Sequence, residues 1–362
     1  MTTANRRTSW RRTTQAAVVL VGVGALLVGC TGNDPVPEET SATDGDGSTD
    51  TSTNTNTGSG NDAVGDTVRI GFSAPAADHG WMAAITEAAR DRAASFEDVE
   101  ITIAEGTNDV NTQISQVETF INDGVDAIVL LPFDGAAMTP VALQAMEAGI
   151  PVINVDREFS SPFASESTIL GDNYGMGVSA GNYICSRLGG QADAVVAEIA
   201  GIDSLPLTQD RSQGFADALS DCGLTVANRV AAEFTVESGE AVTANLLQAL
   251  PEIDAVWNHD DDQGVGVLAA IQNAGRDEFF MVGGAGSANA MREIQSGESV
   301  LEATVIYPST QAADGVSLAR LIAQGKNLTD IVSQGIPKRI VLAAPVVTAD
   351  NVEEFLDNAF ES

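Results

Sequence analysis

Short apolar stretches alternate with amphipathic stretches along the chain from about residue 68 onward. The apolar stretches are rich in valine, isoleucine and leucine and end in polar residues, which predicts buried strands. The amphipathic stretches carry apolar residues at helical spacing. One such series is Val110, Ile114, Val117 and Ile121, and the Asn-Asp-Gly at 122–124 ends it. Continuous apolar strands between amphipathic helices indicate parallel sheets covered by helices on both faces.

The predicted elements form two similar series. The predicted strands span residues 68–73, 99–104, 127–131, 151–155, 194–199, a stretch ending near 234, 255–258, 279–282, 302–307 and 340–342. The predicted helices span residues 81–95, 110–121, 138–148, 174–188, 209–220, 240–250, 263–273, 312–324 and a last segment near 352–360. Residues 169–173 are predicted to cross between the two series. A chain of 362 residues can bury two such α/β cores, and a cleft between them is a common place for a ligand.

Residues 1–29 have the pattern of an export signal. Four arginines among the first twelve residues precede an apolar run at 16–28, which is too short to span a membrane comfortably. The run leads into Cys30 in a sequence that resembles a bacterial lipoprotein lipobox. This resemblance implies a signal peptide at 1–29, cleavage before Cys30 and a lipid anchor on that cysteine. The alternative is an ordinary secretory signal whose cysteine is incidental.

The next segment, 30–66, consists mostly of Thr, Ser, Asn, Asp, Gly and Pro. Such a composition buries too little apolar area to offset the entropy of ordering, so we expect a disordered tether. A glycan-bearing stalk is the alternative.

The charge balance is strongly acidic. The chain has 17 basic and 51 acidic residues and a net charge of -34, and every acidic residue lies after the predicted signal. Nucleic acid and anionic membrane surfaces are therefore excluded as expected partners.

Asp156 and Arg157 follow the predicted strand at 151–155 directly. In open parallel sheets, ligands bind just outside the carboxyl ends of the strands, which makes this pair a candidate binding element. A simple strand-end salt bridge or turn is the alternative, because charged residues commonly end strands.

Further motifs stand at other strand ends and helix starts in a consistent order. They are Gly71-Phe72-Ser73 followed by Trp81, Pro151-Val152-Ile153 before Asp156-Arg157, Gly171-Asp172-Asn173, Asp210-Arg211-Ser212-Gln213-Gly214-Phe215, and Asp260-Asp261-Asp262-Gln263-Gly264. With these motifs, the chain from about 68 to 345 resembles the bacterial sugar-binding lipoproteins of ATP-binding-cassette importers, in the ribose-binding-protein group.

The resemblance implies a periplasmic binding protein type 1 fold, which is α/β. It has two Rossmann-like lobes with parallel sheets, joined by a three-stranded hinge with the ligand cleft between them. The implied N-terminal lobe spans 67–171 and 308–335, and the implied C-terminal lobe spans 172–307 and 336–362.

The resemblance also implies a set of ligand-binding residues. Asp156, Arg157 and Arg211 would bind sugar hydroxyls, while Trp81 and Phe234 would sandwich the sugar ring. Carboxylates and guanidinium groups can engage paired hydroxyls, and aromatic rings pack on sugar C–H faces. The remaining implied positions are Ser73 at the first strand end, Asp78 near a family Asn, Asp260 at a position where the family often has Asn, and Tyr307 at a position where it has a binding Gln.

The second half of the implied site departs from the ribose pattern. Residues 283–286 read Gly-Gly-Ala-Gly where ribose binders have Gly-Phe-Asp-Gly, and Tyr307 replaces the glutamine. These changes argue against ribose and predict vacated space for a larger sugar or a polyol.

Several of these residues also have plain structural interpretations. Phe234 and Trp257 fit a strand core, Arg211 fits a helix-face salt bridge, and Asp261 and Asp262 fit a helix N-terminus. The only histidines, His79 and His259, are far apart in sequence and lack metal-site spacing, so no metal is expected. No dinucleotide or catalytic motif has the required context, so no cofactor and no enzyme activity are expected.

The pattern therefore predicts a lipid-tethered, extracytoplasmic receptor that closes two lobes on a sugar or polyol. Its expected partners are an ABC permease with its ATPase and, through the lipid anchor, the outer face of the cell membrane; a monomer is expected. The alternatives are a sensory receptor for a sugar-like signal and a cell-surface hydrolase that uses Asp156 and Asp260 as its carboxylate pair.

Cys185 and Cys222 remain as an even pair if Cys30 carries the lipid. In an exported domain, with the two cysteines in neighbouring helices, we expect a disulfide between them. Two unpaired buried thiols are the alternative.

Overall fold

The computed structural model of the protein describes residues 60–326, 328 and 335–362. The predicted signal peptide at 1–29, the predicted anchor Cys30 and residues 31–59 of the predicted tether lie outside the described residues. So do 327 and 329–334 of the segment assigned to the first lobe. Within the described part, no helix has the length and apolarity needed to cross a bilayer.

Two six-stranded sheets form the centre of the described chain. The first contains β1 (Val68–Ser73), β2 (Val99–Ile103), β3 (Ala127–Leu130), β4 (Val152–Val155), β5 (Ser167–Gly171) and β11 (Arg339–Leu342), in the order β2-β1-β3-β4-β5-β11. The second contains β6 (Val196–Ala200), β7 (Val226–Ala231), β8 (Ala255–Asn258), β9 (Phe280–Ala285), β10 (Leu301–Ile306) and β12 (Val346–Thr348), in the order β7-β6-β8-β9-β10-β12. All strand pairs are parallel except β10 with β12. The predicted α/β class with two parallel-sheet lobes is confirmed.

Helices connect the strands of each sheet. They are α1 (Gly80–Ala94), α2 (Val110–Asp123), α3 (Gly135–Glu147), α4 (Asn173–Leu188), α5 (Pro206–Asp221), α6 (Val236–Ala249), α7 (Asp261–Ala274), α8 (Ala288–Ser296) and α9 (Gln311–Ala323). Side-chain caps start several of them; Asp134 accepts from the Ala137 N–H, and Asp260 accepts from the Gln263 N–H. Gly124 ends α2 with a left-handed φ of 61°, as its Asn-Asp-Gly predicts.

The chain passes between the two sheets three times. It crosses from β5 to α4, from β10 to α9, and from β11 to β12. The last crossing differs from the predicted boundary at 335/336. Since β11 pairs with β5 in the first sheet, the chain leaves the first lobe only after Leu342. The three connecting segments are hydrogen-bonded to one another: the Asp172 N–H donates to the Leu342 carbonyl at 2.9 Å, and Asn173 Nδ2 donates to the Tyr307 hydroxyl at 3.1 Å.

Residues 60–66 correct the predicted extent of the tether. The Arg320 guanidinium donates to the carbonyls of Asn61, at 2.8 Å, and Ala63, at 3.0 Å, and the Gly65 N–H donates to Asp98 Oδ2 at 2.7 Å. These bonds fix the segment to the first lobe, so it belongs to the folded domain. Polar composition alone gave no sign of this, because the contacts are made by backbone groups.

The C-terminal segment also differs from the prediction. In place of one helix near 352–360 there are two 3-10 turns, Val352–Glu354 and Leu356–Asn358. Their apolar residues pack against Met291 and Val347, so the periodicity that predicted a helix is satisfied by two tighter turns.

A disulfide joins Cys185 and Cys222, as predicted, with Cα atoms 6.1 Å apart. It links α4 to the end of α5, two helices that pack side by side within the second lobe.

Candidate functional site

A small cavity lies between the two lobes at the carboxyl ends of their strands. Its volume is about 30 Å³. We call it the central cavity. Its lining residues are His79, Trp81, Met82, Asp156, Arg157, Leu207, Arg211, Phe234, Asp260, Ala285 and Tyr307. Seven of the nine predicted binding residues are in this set. The topology explains the convergence, because β4, β8, β9 and β10 end at this edge and α1 and α5 begin there.

Backbone strain is concentrated at the same place. Among the described residues, the only non-glycine positions with positive φ are Asp156, at 64°, Phe234, at 61°, and Ala285, at 83°. All three line the central cavity. Such conformations cost of the order of 1–3 kcal/mol each and cluster at binding and catalytic sites.

Tyr307 fills the middle of this arrangement. Its hydroxyl donates to Asp156 Oδ1 at 2.5 Å and accepts from Asn173 Nδ2 at 3.1 Å. Its ring packs against Gly171, where a Cβ atom would lie 2.0 Å from the ring carbon Cε2. Burial and the neighbouring Asp156 carboxylate raise the pKa of Tyr307, so its hydroxyl stays protonated. Tyr307 thus fills with its own phenol part of the cleft beside the 283–286 segment, where the loss of an aromatic and a carboxylate was predicted to leave space.

Trp81 reaches the site from the other side. Its indole N–H donates to the Tyr307 carbonyl at 3.1 Å, and the two ring centroids are 5.4 Å apart. Its backbone N–H donates to Asp262 Oδ2 at 2.9 Å, a contact between α1 of the first lobe and α7 of the second. Trp81 therefore ties the first lobe both to a crossing segment and to the second lobe.

Arg211 is buried in the site, and it makes no salt bridge with any residue that the structure describes. Its Nε donates to Asn173 Oδ1 at 2.9 Å and its NH1 to the His259 carbonyl at 3.2 Å. The guanidinium carbon lies 4.4 Å from the centroid of the Tyr307 ring and 5.9 Å from that of Phe234. Charge and aromatic surface therefore stand next to each other, as the predicted sugar site requires.

Asp156 and Arg157 form a loose pair. Arg157 Nε lies 3.7 Å from Asp156 Oδ2, and Arg157 NH1 donates to the Phe133 carbonyl at 2.8 Å. Among the described residues the buried Nε has no hydrogen-bond partner. Burial lowers the pKa of Arg157, and Asp156 opposes that shift. The pair keeps a donor that nothing in the described chain satisfies.

The three consecutive aspartates at the start of α7 have different tasks. Asp260 caps the helix and lines the central cavity; burial and the nearby Asp262 raise its pKa to about 7. Asp261 accepts three backbone N–H groups, of Gly284, Gly286 and Ser287, and so holds the loop after β9. Asp261 is therefore structural, whereas Asp262 joins the two lobes through Trp81.

Ser73 and Asp78 do not line the central cavity. The Ser73 hydroxyl is fully buried and donates to Gln116 Oε1 at 2.9 Å. Asp78 lies 2.6 Å from His79 Nδ1 and accepts from Asn108 Nδ2 at 2.9 Å. Burial opposes ionisation of Asp78, but these two partners hold its pKa below the usual value. Asp78 therefore positions His79, which lines the cavity and which the sequence did not mark as a binding residue.

Trp257 lies in the core of the second lobe. It is fully buried, and its ring centroid lies 4.7 Å from that of Phe215 and 4.0 Å from that of His259. The described residues contain no group of three or more His, Cys, Asp or Glu side chains arranged to hold a metal ion.

The chain is similar to known proteins in sequence and in structure. The profile described as "Periplasmic binding protein domain" matches residues 70–327. The ribose import binding protein of Bacillus subtilis is 32% identical over 233 residues, which is 62% of this chain and 74% of that protein. The xylitol-binding protein of Mycolicibacterium smegmatis is 26% identical over 81% of this chain and 80% of its own length.

Solved structures show the same two-lobed arrangement. The fructose-binding periplasmic domain of a hybrid two-component system has a TM-score of 0.70 at 30% identity, covering 80% of this chain and 93% of that one. A solute-binding protein of Bacillus halodurans with bound myo-inositol has a TM-score of 0.72 at 24% identity, covering 81% and 98%. The latter likeness concerns the fold.

Proposed function

The chain belongs to the periplasmic binding protein family, whose members are non-catalytic solute-binding proteins, and on this premise we propose that it captures a sugar or polyol. The ligand would bind in the cleft between the lobes and be delivered to an ABC importer. The observation that carries the proposal is the convergence of Asp156, Arg157 and Arg211 with Trp81 and Phe234 around one interlobe cavity.

The chemistry of these side chains supports a hydroxylated ligand. Asp156 and the two arginines offer charged acceptors and donors for paired hydroxyl groups, which form stronger hydrogen bonds than neutral groups do. Trp81 and Phe234 offer flat apolar faces for C–H groups. His79 and Asp260 add polar groups on either side, while Ser73 and Asp78 would act only through their neighbours.

The mechanism that we propose is hinge closure. The three crossing segments would allow the lobes to open, and Tyr307 and Asn173 stand at two of them. A ligand that contacts Asp156 from the first lobe and Arg211 from the second would favour the closed arrangement. The Trp81–Asp262 hydrogen bond forms across the same gap and would be made only on closure.

The relatives' names agree with this ligand class. One is a ribose import protein, another a xylitol-binding protein, and a similar fold holds myo-inositol. We extend to this chain only the common class of polyhydroxylated small molecules.

Isothermal titration of the purified protein with pentoses, hexoses and polyols tests the proposal. We expect one of these compounds to bind and Arg211→Ala to abolish that binding without unfolding the protein. The Arg92→Ala variant is the control, since Arg92 lies on the exposed side of α1. Absence of binding by every compound would contradict the proposal.

We also propose that the protein is extracytoplasmic and anchored to the outer face of the membrane through a lipid on Cys30. The lipobox-like sequence at 27–30 supports this. Labelling cells with a radioactive fatty acid should mark the wild-type protein and leave Cys30→Ser unmarked, whereas equal labelling of both would exclude the anchor.

A sensory role is the second candidate. It is favoured by the 30% identity to a fructose-binding domain of a two-component system. Uptake of the bound ligand separates the roles: deletion of the gene should abolish uptake if the protein serves an importer and leave uptake unchanged if it serves only a sensor.

A further inference from the structure

A second, larger cavity adjoins the central cavity. It has a volume of about 580 Å³ and shares Asp156, Arg157 and Leu207 with its neighbour. The first lobe contributes residues 134–136 and 156–160, and the second contributes 204–207 and 210. We call this cavity the annex. Because both lobes form its walls, a molecule in the annex would touch both.

The two volumes differ in what they can hold. About 30 Å³ corresponds to little more than one water molecule. Sites for small organic ligands usually occupy about 300–1,000 Å³, a range that includes the annex and excludes the central cavity. Since Tyr307 and Arg211 fill the middle of the cleft, most of the free space next to the predicted recognition residues lies in the annex.

The shared wall carries an unused hydrogen-bond donor. Arg157 is mostly buried, with 12% of its side chain exposed, and its Nε lacks a hydrogen-bond partner among the described residues. Buried donors are nearly always satisfied, and this one belongs to a residue that lines both cavities and lies 3.7 Å from Asp156 Oδ2. A small movement of the Arg157 side chain would let its guanidinium donate to a hydroxyl or ether oxygen of a ligand.

The charged side chains of the other annex walls disfavour anionic ligands. Four further carboxylates line the annex, those of Asp134, Glu158, Asp172 and Asp210. Its second arginine, Arg339, is already paired with Glu158 at 3.0 Å. An anionic group would be repelled there, whereas hydroxyl groups can donate to the carboxylates.

Apolar residues complete the annex. Leu205, Pro206 and Val341 contribute surface against which the C–H groups of a sugar or polyol can pack. The combination of carboxylates and apolar patches suits a neutral hydroxylated unit.

We propose that the annex is a second subsite, which binds the neutral second unit of an extended ligand such as a disaccharide or a polyol glycoside. The first unit would bind at the central cavity, which opening of the lobes would enlarge, and would contact Asp156 and Arg157 at the shared wall. This inference rests on the proposed function and specifies its ligand class.

The test compares single units with their extended counterparts on the full-length protein. The probes are glucose with trehalose and maltose, galactose with lactose and melibiose, and myo-inositol with galactinol. We expect at least one extended probe to bind tenfold or more tightly than its single unit in isothermal titration.

A large side chain placed in the annex should remove the preference for extended probes over single units. Ala136→Trp introduces a large side chain from an exposed lining position of the first lobe, and Ser204→Trp does the same from the second lobe. We expect each to weaken the extended probe at least tenfold. Ala137→Trp is the matched control, because Ala137 is the exposed neighbour on α3 that does not line the annex, and it should leave binding unchanged.

The remaining outcomes overturn the proposal in distinguishable ways. If a single unit binds as tightly as every extended probe, or if both folded tryptophan variants bind the extended probe normally, the annex is not a subsite and sugar binding stands. If none of these probes binds, the annex proposal fails, whereas the proposed function is decided separately by the wider panel of pentoses, hexoses and polyols.

Discussion

The protein contains two buried aspartate–arginine pairs that differ in how completely they are satisfied. In the first lobe, Arg320 meets Asp98 through two contacts of 2.6 Å, and the same guanidinium binds the carbonyls of Asn61 and Ala63. In the cleft, Arg157 Nε stands 3.7 Å from Asp156 and has no hydrogen-bond partner among the described residues.

The difference separates a structural pair from a candidate binding pair. Buried charges destabilise a fold unless hydrogen bonds satisfy them, and the Asp98–Arg320 pair meets that condition. The cleft pair leaves one donor unsatisfied and holds Asp156 at a strained φ of 64°. An unsatisfied donor and a strained backbone both destabilise the fold, and contacts with a bound ligand can compensate for that destabilisation.

The largest expected effect comes from breaking the satisfied pair. Arg320→Ala leaves the Asp98 carboxylate buried without its cation, which should lower the free energy of unfolding by about 3–5 kcal/mol. Urea denaturation measures the change. Arg187→Ala removes a more exposed pair with Glu302 and should cost less than ~1 kcal/mol. Equal losses in the two variants would remove the distinction.

Breaking the unsatisfied pair should affect binding more than stability. Arg157→Ala is expected to weaken ligand affinity by about 2–5 kcal/mol, because a desolvated charge that engages the ligand is lost. Isothermal titration measures the affinity and urea denaturation the stability. Arg90→Ala, at an exposed pair with Glu87, serves as the control. A variant that lost stability and kept its affinity would show that the cleft pair is structural as well.

Tyr307 is the hydrogen-bond donor that Asp156 has within the protein, and removing it tests how far Asp156 depends on that donor. Tyr307→Phe deletes the hydroxyl that donates to Asp156 Oδ1, so the free energy of unfolding should fall by about 1.5–3 kcal/mol. In Tyr174→Phe, the lost hydroxyl donates to Asp217 at an exposed position, and we expect a loss below ~0.5 kcal/mol. Thermal denaturation of both variants is the measurement. A loss no greater than in Tyr174→Phe would mean that Asp156 does not need this donor.

The smallest expected effect is a pH dependence at Asp260. Its pKa is raised from 3.8 to about 7, so the folded state holds the proton more tightly than the unfolded state does. The contribution of this group to stability therefore falls as the pH rises from about 4 to 7. Asp260→Asn removes the titration and keeps a capping side chain, so urea denaturation should show its stability relative to wild type rising between pH 4 and pH 7.

The contribution of Asp98 to stability depends on pH in the opposite direction. The hydrogen bond from Arg320 holds the pKa of Asp98 far below its usual value, so its contribution is present above pH 4 and is lost only in strong acid. A stability difference between Asp260→Asn and wild type that did not change between pH 4 and 7 would contradict the assignment for Asp260.

Local pattern predicted the fold and the Asp156–Arg157 pair, whereas the other candidate residues were implied by the resemblance to sugar-binding proteins. Asp156 and Arg157 could be found because they directly follow an apolar strand, and the carboxyl ends of parallel strands share one edge of a sheet. The disulfide followed from an even cysteine count and neighbouring helices.

The parts that were missed depend on contacts between distant segments. His79 lines the cavity because Asp78 and Asn108 orient it across a loop, and no local pattern marks that arrangement. The docking of residues 60–66 depends on Arg320, more than 250 positions away. The strand β12 has only three residues and pairs antiparallel at a sheet edge, which gives too short a pattern to detect.

The bridge between Cys185 and Cys222 gives the two lobes different requirements for maturation. It closes a separation of 37 residues and in the chain-entropy model adds roughly 4 kcal/mol of stability. Apart from Cys30 the chain has no other cysteine, so oxidation concerns the second lobe alone. If the protein is exported unfolded, the first lobe can complete its fold without oxidation once α9 and β11 have emerged, whereas the lobe that carries Arg211 reaches full stability only after oxidation outside the cytoplasm.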